Sequence, residues 1–279
     1  MKNRIIAISL ILLLVLSLTS CSSEKDMDEL KRRFEDHTPD NNVVVIWDDS
    51  ILHFADHTIR LDDLAGGEKA YDGCLLADGQ LYFSSSTKNT ASNFSLYVYT
   101  CDTNGNNQQL VFEKHGYKTN PWATGNGEVL YIEHFTTNSF DASSRVIDSY
   151  NVVTGAYQTV ATGKDAKLSN YRRRQCGRYS CTYEGDVCTV TDPQNNTTYT
   201  IDSIALVRST FSTELDGHDH LRFEGFFAAD NGKMFLLYNL GSSLPYPFLV
   251  CEYLPDRGEI VYKSLISVPD YLSFQVLYV

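Results

Sequence analysis

The chain of 279 residues carries 35 acidic against 23 basic side chains, a formal net charge of −12. A surface of that sign repels phosphate backbones and anionic head groups, which excludes nucleic acid as an expected partner. The 18 tyrosines and 14 phenylalanines are read chiefly as cross-strand packing pairs, some of them free to stack on sugar rings.

The first twenty residues begin with Lys2 and Arg4, run apolar from Ile5 to Leu18 and end in small side chains before Cys21, the layout of an export signal. The apolar run falls short of the roughly 20 residues a spanning helix needs, and Ser9 and Ser17 interrupt it. Leu18-Thr19-Ser20-Cys21 resembles the bacterial lipobox. That resemblance implies removal of residues 1–20 and a diacylglyceryl group on the Cys21 thiol, with an ordinary signal peptide and a coincidental cysteine as the alternative. Two acyl chains, at about 0.8 kcal/mol per buried methylene, hold a protein stably on a membrane. The expected location is therefore the extracytoplasmic face, anchored by lipid without spanning. Residues 21–41 read as a lipidated tether, in which Met27, Leu30 and Phe34 recur at the spacing of a brief helix.

From Asn42 onward, short runs rich in Val, Ile, Tyr, Phe and Thr alternate with Gly, Asn and Asp, the pattern of successive antiparallel strands. No long amphipathic helix is expected. Tight turns at Gly79, Gly127, Gly177 and Gly232 recur about every fifty residues, each leading from an apolar strand into an aromatic one. A second set of turns ends at Gly105, Gly155, Asn196 and Gly258. Two hairpins per repeat make four strands, and a four-stranded repeat of about 40 to 50 residues predicts an all-β domain over residues 42–279, a β-propeller. Blades are expected at 71–114, 117–163, 168–204 and 223–266. Strands at Val43–Trp47, Ile51–Phe54 and Thr58–Leu61 would join Leu272–Val279 to close a fifth and remove the exposed sheet edges. Six blades is the alternative count, because the segment from Ala205 to Arg222 is long, and a β-sandwich or lipocalin-like barrel is the alternative architecture.

Asp78-Gly79-Gln80-Leu81-Tyr82-Phe83, followed by Leu96-Tyr97-Val98-Tyr99 and Asp102-Thr103-Asn104-Gly105, is distantly similar to the repeats of TolB-type bacterial propellers. The resemblance spans most of residues 71–266. Trp47-Asp48 occurs once, which sets the chain apart from WD40 arrays. Val153-Thr154-Gly155-Ala156-Tyr157 resembles a quinone-dependent dehydrogenase turn without its tryptophan, so no cofactor is implied.

Counting back seven residues from the first three turn glycines gives Asp72, Asn120 and Asn170. Glu224 precedes Gly232 by eight, and Asp270 heads the last inner strand. At the start of innermost strands these side chains would rim a central funnel. Convergent carboxylates there would hold a cation such as calcium, or raise one another's pKa for acid and base work. In the competing reading they bond local backbone in the loops between blades. His218-Asp219-His220 offers two imidazoles, an incomplete metal site, or else a solvated loop after Gly217. Arg172-Arg173-Arg174 would alternate faces on a strand and stay solvated. Outside the cytoplasm the six cysteines Cys74, Cys101, Cys176, Cys181, Cys188 and Cys251 invite disulfides. Cys181 with Cys188, across a turn at Glu184-Gly185, is the first pair to expect; small buried hydrophobes are the equal alternative. The nucleophile-elbow, zinc-helix and phosphate-loop motifs are missing, so no catalytic residue is assigned. The leading expectation is a membrane-anchored binding or scaffold module for a protein, peptide or glycan. A glycan-active hydrolase using the funnel carboxylates stands second, and a structural part of an envelope complex third.

Overall fold

The computed structural model describes residues 27–47, 51–54, 56–64, 70–90, 93–172, 174–229, 231–242, 245–268 and 274–278. The export signal, Cys21 and Asp270 lie outside the described residues. The chain is all-β, and its described residues form five antiparallel sheets. It divides into two units: residues 42–177 with 229–232 and 273–279, and residues up to 41 with 178–228 and 233–272.

The first unit holds three four-stranded sheets. In one, β1 (Val43–Trp47), β2 (Ile51–His53) and β3 (Thr58–Arg60), which runs into the short helix α2 (Leu61–Leu64), are joined by the last strand of the chain, β19 (Phe274–Tyr278), in the order β19-β1-β2-β3. The register runs from Val43 opposite Tyr278 to Trp47 opposite Phe274. Three strands from one end of the chain and one from the other thus share a sheet, as the repeat pattern requires. The second sheet is the meander β4 (Ala70–Ala77), β5 (Gln80–Thr90), β6 (Asn93–Asp102) and β7 (Gln109–Tyr117). The third is β8 (Trp122–Asn126), β9 (Val129–Phe135), β10 (Arg145–Asn151) and β11 (Tyr157–Thr162). The β4–β5 turn is Asp78-Gly79 with φ of 50° and 70°, the doubly left-handed backbone that matches strand twist and that Asp-Gly tolerates.

Period-two alternation on these strands leaves each sheet an apolar face that only a neighbouring sheet can cover. Leu52, Ile59 and Leu61 pack with Cys74, Leu81, Phe83 and Cys101 between the first and second sheets. Leu75, Leu96 and Val98 pack with Ala123, Leu130, Ile132 and Tyr150 between the second and third. β8 runs so close to β4 that a Cβ on Gly125 would lie 2.3 Å from the Cys74 carbonyl oxygen. Glycine is therefore the residue that lets these two first strands approach.

The second unit contains β12 (Ser180–Glu184), β13 (Val187–Asp192) and β14 (Thr197–Asp202) in a three-stranded sheet, then helix α3 (Ser203–Thr210). A four-stranded sheet follows, made of β15 (Arg222–Ala228), β16 (Met234–Asn239), β17 (Tyr246–Leu254) and β18 (Glu259–Val268). Tyr179 meets Phe226 edge-on, and the Tyr183 hydroxyl accepts from the Phe226 N–H, tying the two sheets together. The Asp202 carboxylate caps α3 by accepting from the Ala205 N–H at 3.1 Å, a start signal worth about 1 kcal/mol.

Two expectations are corrected here. The strand expected from residue 168 with a turn at Gly177 does not form. Leu168–Asn170 is a 3-10 turn, and the first strand of that sheet starts only at Ser180. The segment lacks alternating apolar residues, and between 164 and 178 only Ala166 is buried among the described residues. The supposed tether is also largely docked. Residues 27–33 form helix α1, which buries Met27, Leu30 and Phe34 against the second unit. Phe34 stacks on Tyr262 and tilts against Phe211 with centroids about 5.5 Å apart. His37 Nε2 sits 2.6 Å from Glu214 Oε1, and Asp40 pairs with Lys263 at 3.0 Å.

Candidate functional site

A polar cleft opens in the second unit between α1, residues 217–222 and the turn into β17. It consists of two adjoining hollows of about 270 and 360 Å³ that share Asp219, His220, Gly241 and Ser242. Its walls are held by local geometry. The His218 Nε2–H donates to the Leu240 carbonyl, fixing one edge. Gly241 donates to Asn239 Oδ1 at 2.8 Å, and a Cβ there would meet Pro247 Cδ at 2.4 Å. On the α1 side, Arg33 donates to Glu29 Oε1 at 2.7 Å and to the carbonyls of Asp216 and Glu214 at 2.7 and 3.3 Å. That guanidinium holds the Glu29 carboxyl below the usual carboxylate range. Arg222 and Tyr246 complete the far hollow. The cleft thus presents charges of both signs, two imidazoles, hydroxyls and an amide. Such a lining suits a polar ligand held by several hydrogen bonds.

The expected site residues fall as follows. Asp72 lies on β4 at a register shift between Tyr71 and Cys74, and its side chain is outside the described residues. Glu224 lies at the equivalent irregularity of β15, between Phe223 and Gly225. Asp72 and Glu224 therefore each fall at a register shift of the first strand of a sheet. Glu224 is already engaged by Arg222 at 2.7 Å. Asn120 precedes β8 and accepts from Ser86 Oγ at 2.5 Å. Asn170 ends the 3-10 turn and is exposed, heading no strand. Asp72, Asn120 and Asn170 belong to the first unit and Glu224 to the second. Among the described residues no three His, Cys, Asp or Glu side chains are grouped to hold a metal, so His218-Asp219-His220 acquires no third ligand there.

The cysteines behave differently from one another. In the β12–β13 hairpin Cys181 faces Val190 and Cys188 faces Tyr183, so the expected pair is diagonal rather than directly opposed. Cys101 and Cys251 are fully buried. Burial, with Asp102 adding to it, pushes the Cys101 thiol up to about 11, and burial also raises Cys251. Both act as small hydrophobes with little thiolate character.

A buried ionic network in the first unit was not foreseen. Asp148 on β10 is 1% exposed and accepts from His134 Nε2 at 2.8 Å, Thr159 Oγ1 at 2.7 Å and the Tyr157 hydroxyl. Lys114 on β7 bonds the same Tyr157 hydroxyl and stands 3.6 Å from the carboxylate. Burial works to raise the Asp148 pKa, but the hydrogen bonds from His134, Tyr157 and Thr159 outweigh it and hold the carboxyl far below its ordinary range. Burial and the contact with Asp148 push the Tyr157 phenol upward. An ionised carboxylate against a phenol that resists ionisation is a clamp between β7 and the third sheet. In the sequence Asp148 is one acid in the mixed run Arg145-Val146-Ile147-Asp148-Ser149-Tyr150-Asn151, and nothing nearby marks its partners.

Comparison with protein-family models and with curated proteins yields no match. The functional reading therefore rests on residues and geometry.

Proposed function

We propose that this chain is a lipid-anchored envelope protein whose five sheets are the blades of a propeller, and that its task is to bind a polar ligand, a glycan, peptide or protein loop, at the cleft beside α1. The observation that carries the reading is the pairing of β19 with β1, supported by the packing of β8 on β4 through Gly125. Consecutive sheets that cover one another, together with chain ends that share a sheet, are what a closed ring of blades requires. The lipobox-like Leu18-Thr19-Ser20-Cys21 supports the anchor. Hydrolysis by first-strand carboxylates is the weaker alternative, because the Arg222 guanidinium already occupies Glu224.

The anchor is tested by expressing the whole chain in bacteria with a labelled fatty acid. The parent is expected in the membrane pellet carrying label, and Cys21→Ala without label. A Cys21→Ala protein that carries label as the parent does overturns the anchor. The blade arrangement is tested by an experimental structure, in which β4, β8, β15 and β19, with the segment that precedes β12, must surround one axis. The cleft is tested on a peptide array, where His220→Ala with Arg222→Ala should abolish the peptide binding the parent shows; undiminished peptide binding places the site elsewhere.

A further inference from the structure

Phe140 is a large apolar side chain held out into solvent. It is 62% exposed, the most exposed large hydrophobic among the described residues. It projects from the β9–β10 connection in the first unit, to which no residue of the cleft belongs. The ring is not loosely held. It lies nearly parallel to the Trp122 indole, with centroids 5.8 Å apart and planes 18° apart, and it meets the buried Phe135 edge-on at 5.3 Å. The Arg145 guanidinium lies over the Phe135 ring, 5.6 Å from its centroid, and pairs with Glu133 at 3.1 Å.

The connection itself is rigidly built. The Thr136 N–H donates to the Ser144 carbonyl at 2.9 Å, and Asp141 caps the following 3-10 turn by accepting from Ser143 N–H and Oγ at 3.0 and 2.8 Å. Thr137 Oγ1 donates to Ser144 Oγ at 3.0 Å. Exposing an aromatic ring costs solvation free energy, and here a preorganised loop maintains that exposure. Preorganised aromatic anchors of this kind lower the entropy lost on binding.

We propose that the Trp122–Phe140 shelf is a carbohydrate-binding site that takes the apolar face of one sugar ring. Area decides the class of ligand. A phenylalanine side chain offers about 200 Å² in all, so the exposed part is on the order of 100 Å², whereas a stable protein interface buries about 800 Å² on each partner. A single pyranose face matches the smaller figure. The chemistry agrees: axial C–H groups of a sugar carry partial positive charge toward the negative face of an aromatic ring. The chain neighbours of Phe140 include Thr136, Thr137, Ser139, Asp141 and Ser143, polar side chains of the kind that suit the hydroxyls at a sugar's edge. The inference is independent of the lipid anchor and of the cleft.

The test uses the purified mature chain on a glycan array, followed by calorimetric titration with soluble cellohexaose, chitohexaose and mannohexaose. The parent is expected to bind at least one glycan class at micromolar to millimolar concentration. Phe140→Ala should weaken that binding at least tenfold with an unchanged melting temperature, since the ring is mostly solvated, and Phe140→Trp should keep it. Leu110→Ala, which removes another exposed apolar side chain of the first unit, should leave it unaltered, which separates stacking on this ring from general adhesion to apolar surface. The proposal is overturned if the parent binds no glycan on the array, or if Phe140→Ala binds as well as the parent does.

Discussion

At Gly125 the fit of two strands depends on one missing carbon. The nearest atoms to an added Cβ are backbone, the Cys74 carbonyl oxygen at 2.3 Å and its carbon at 3.0 Å, so no side-chain rotation relieves the clash. Gly125→Ala is expected to cost about 2 to 3 kcal/mol, the range of overpacking in a core, read as a lower urea midpoint. Two buried titratable side chains set the acid limits of stability. His53 is held down to about 4 by burial, and its Nε2 has no hydrogen-bond partner among the described residues. The folded chain keeps this imidazole neutral while the unfolded chain takes up a proton below about 6.5. Its contribution is therefore complete above pH 6.5 and is lost as pH falls toward 4, by about 3 kcal/mol over that window. Asp148 is also depressed, but its unfolded reference is that of an ordinary carboxylate, so its contribution is present at neutral pH and drains away only below about pH 4. Urea midpoints measured from pH 7 to 3 should fall in two stages. His53→Leu should flatten the upper stage and Asp148→Asn the lower; a parent curve that is level between pH 6.5 and 4 would contradict the first assignment.

The elements most legible in the sequence were the hairpins, and the reason is local. Asp78-Gly79, Gly105, Gly155, Asn196 and Gly258 all take positive φ, and only a few residue types do so cheaply. Those residues punctuate the chain visibly, and the alternating apolar runs between them mark strands. What sequence reading missed depended on distant partners. Gly177 also takes positive φ, but the residues before it have no apolar alternation to hold a strand, so the same punctuation marks a turn outside any sheet. Helix α1 was visible as a spacing of Met27, Leu30 and Phe34, but its docking depends on Phe211, Glu214 and Tyr262, some 180 or more residues away. The site was still less legible: His218 and His220 were singled out, whereas Gly241, Tyr246 and the Phe140 shelf carry no signature beyond residue type. Because Phe34 is 3% exposed within an aromatic cluster, Phe34→Ala should remove about 3 to 4 kcal/mol of packing and release α1. The check is hydrogen exchange: amides of residues 30–34 should lose protection in the variant while those of β16 retain it. Equal loss in both would mean that α1 unfolds only with the whole second unit.

For the whole molecule, the consequential contact is the one between its ends. β19 forms five rungs with β1, and β1 also pairs with β2, so the strand that begins the domain is flanked on both sides. Without β19, one edge of β1 exposes a row of unpaired N–H and C=O groups, a template for intermolecular pairing. The local chemistry of that edge offers little protection, since Val43-Val44-Val45-Ile46-Trp47 has no charge, no proline and high strand propensity, the profile of an aggregation-prone segment. Ending the chain after residue 272 should therefore do two separable things. It should lower the calorimetric transition that includes the first unit, to which β19 belongs, because five rungs and their side-chain packing are lost. It should also make the protein associate in a concentration-dependent way, visible by sedimentation. A lysine introduced at Val44 in the truncated chain should suppress the association without restoring the transition temperature, since a charge blocks edge pairing but replaces no packing. If truncation leaves both the transition and the sedimentation profile unchanged, the pairing of the chain's ends is incidental, and the argument for a closed ring of blades fails with it.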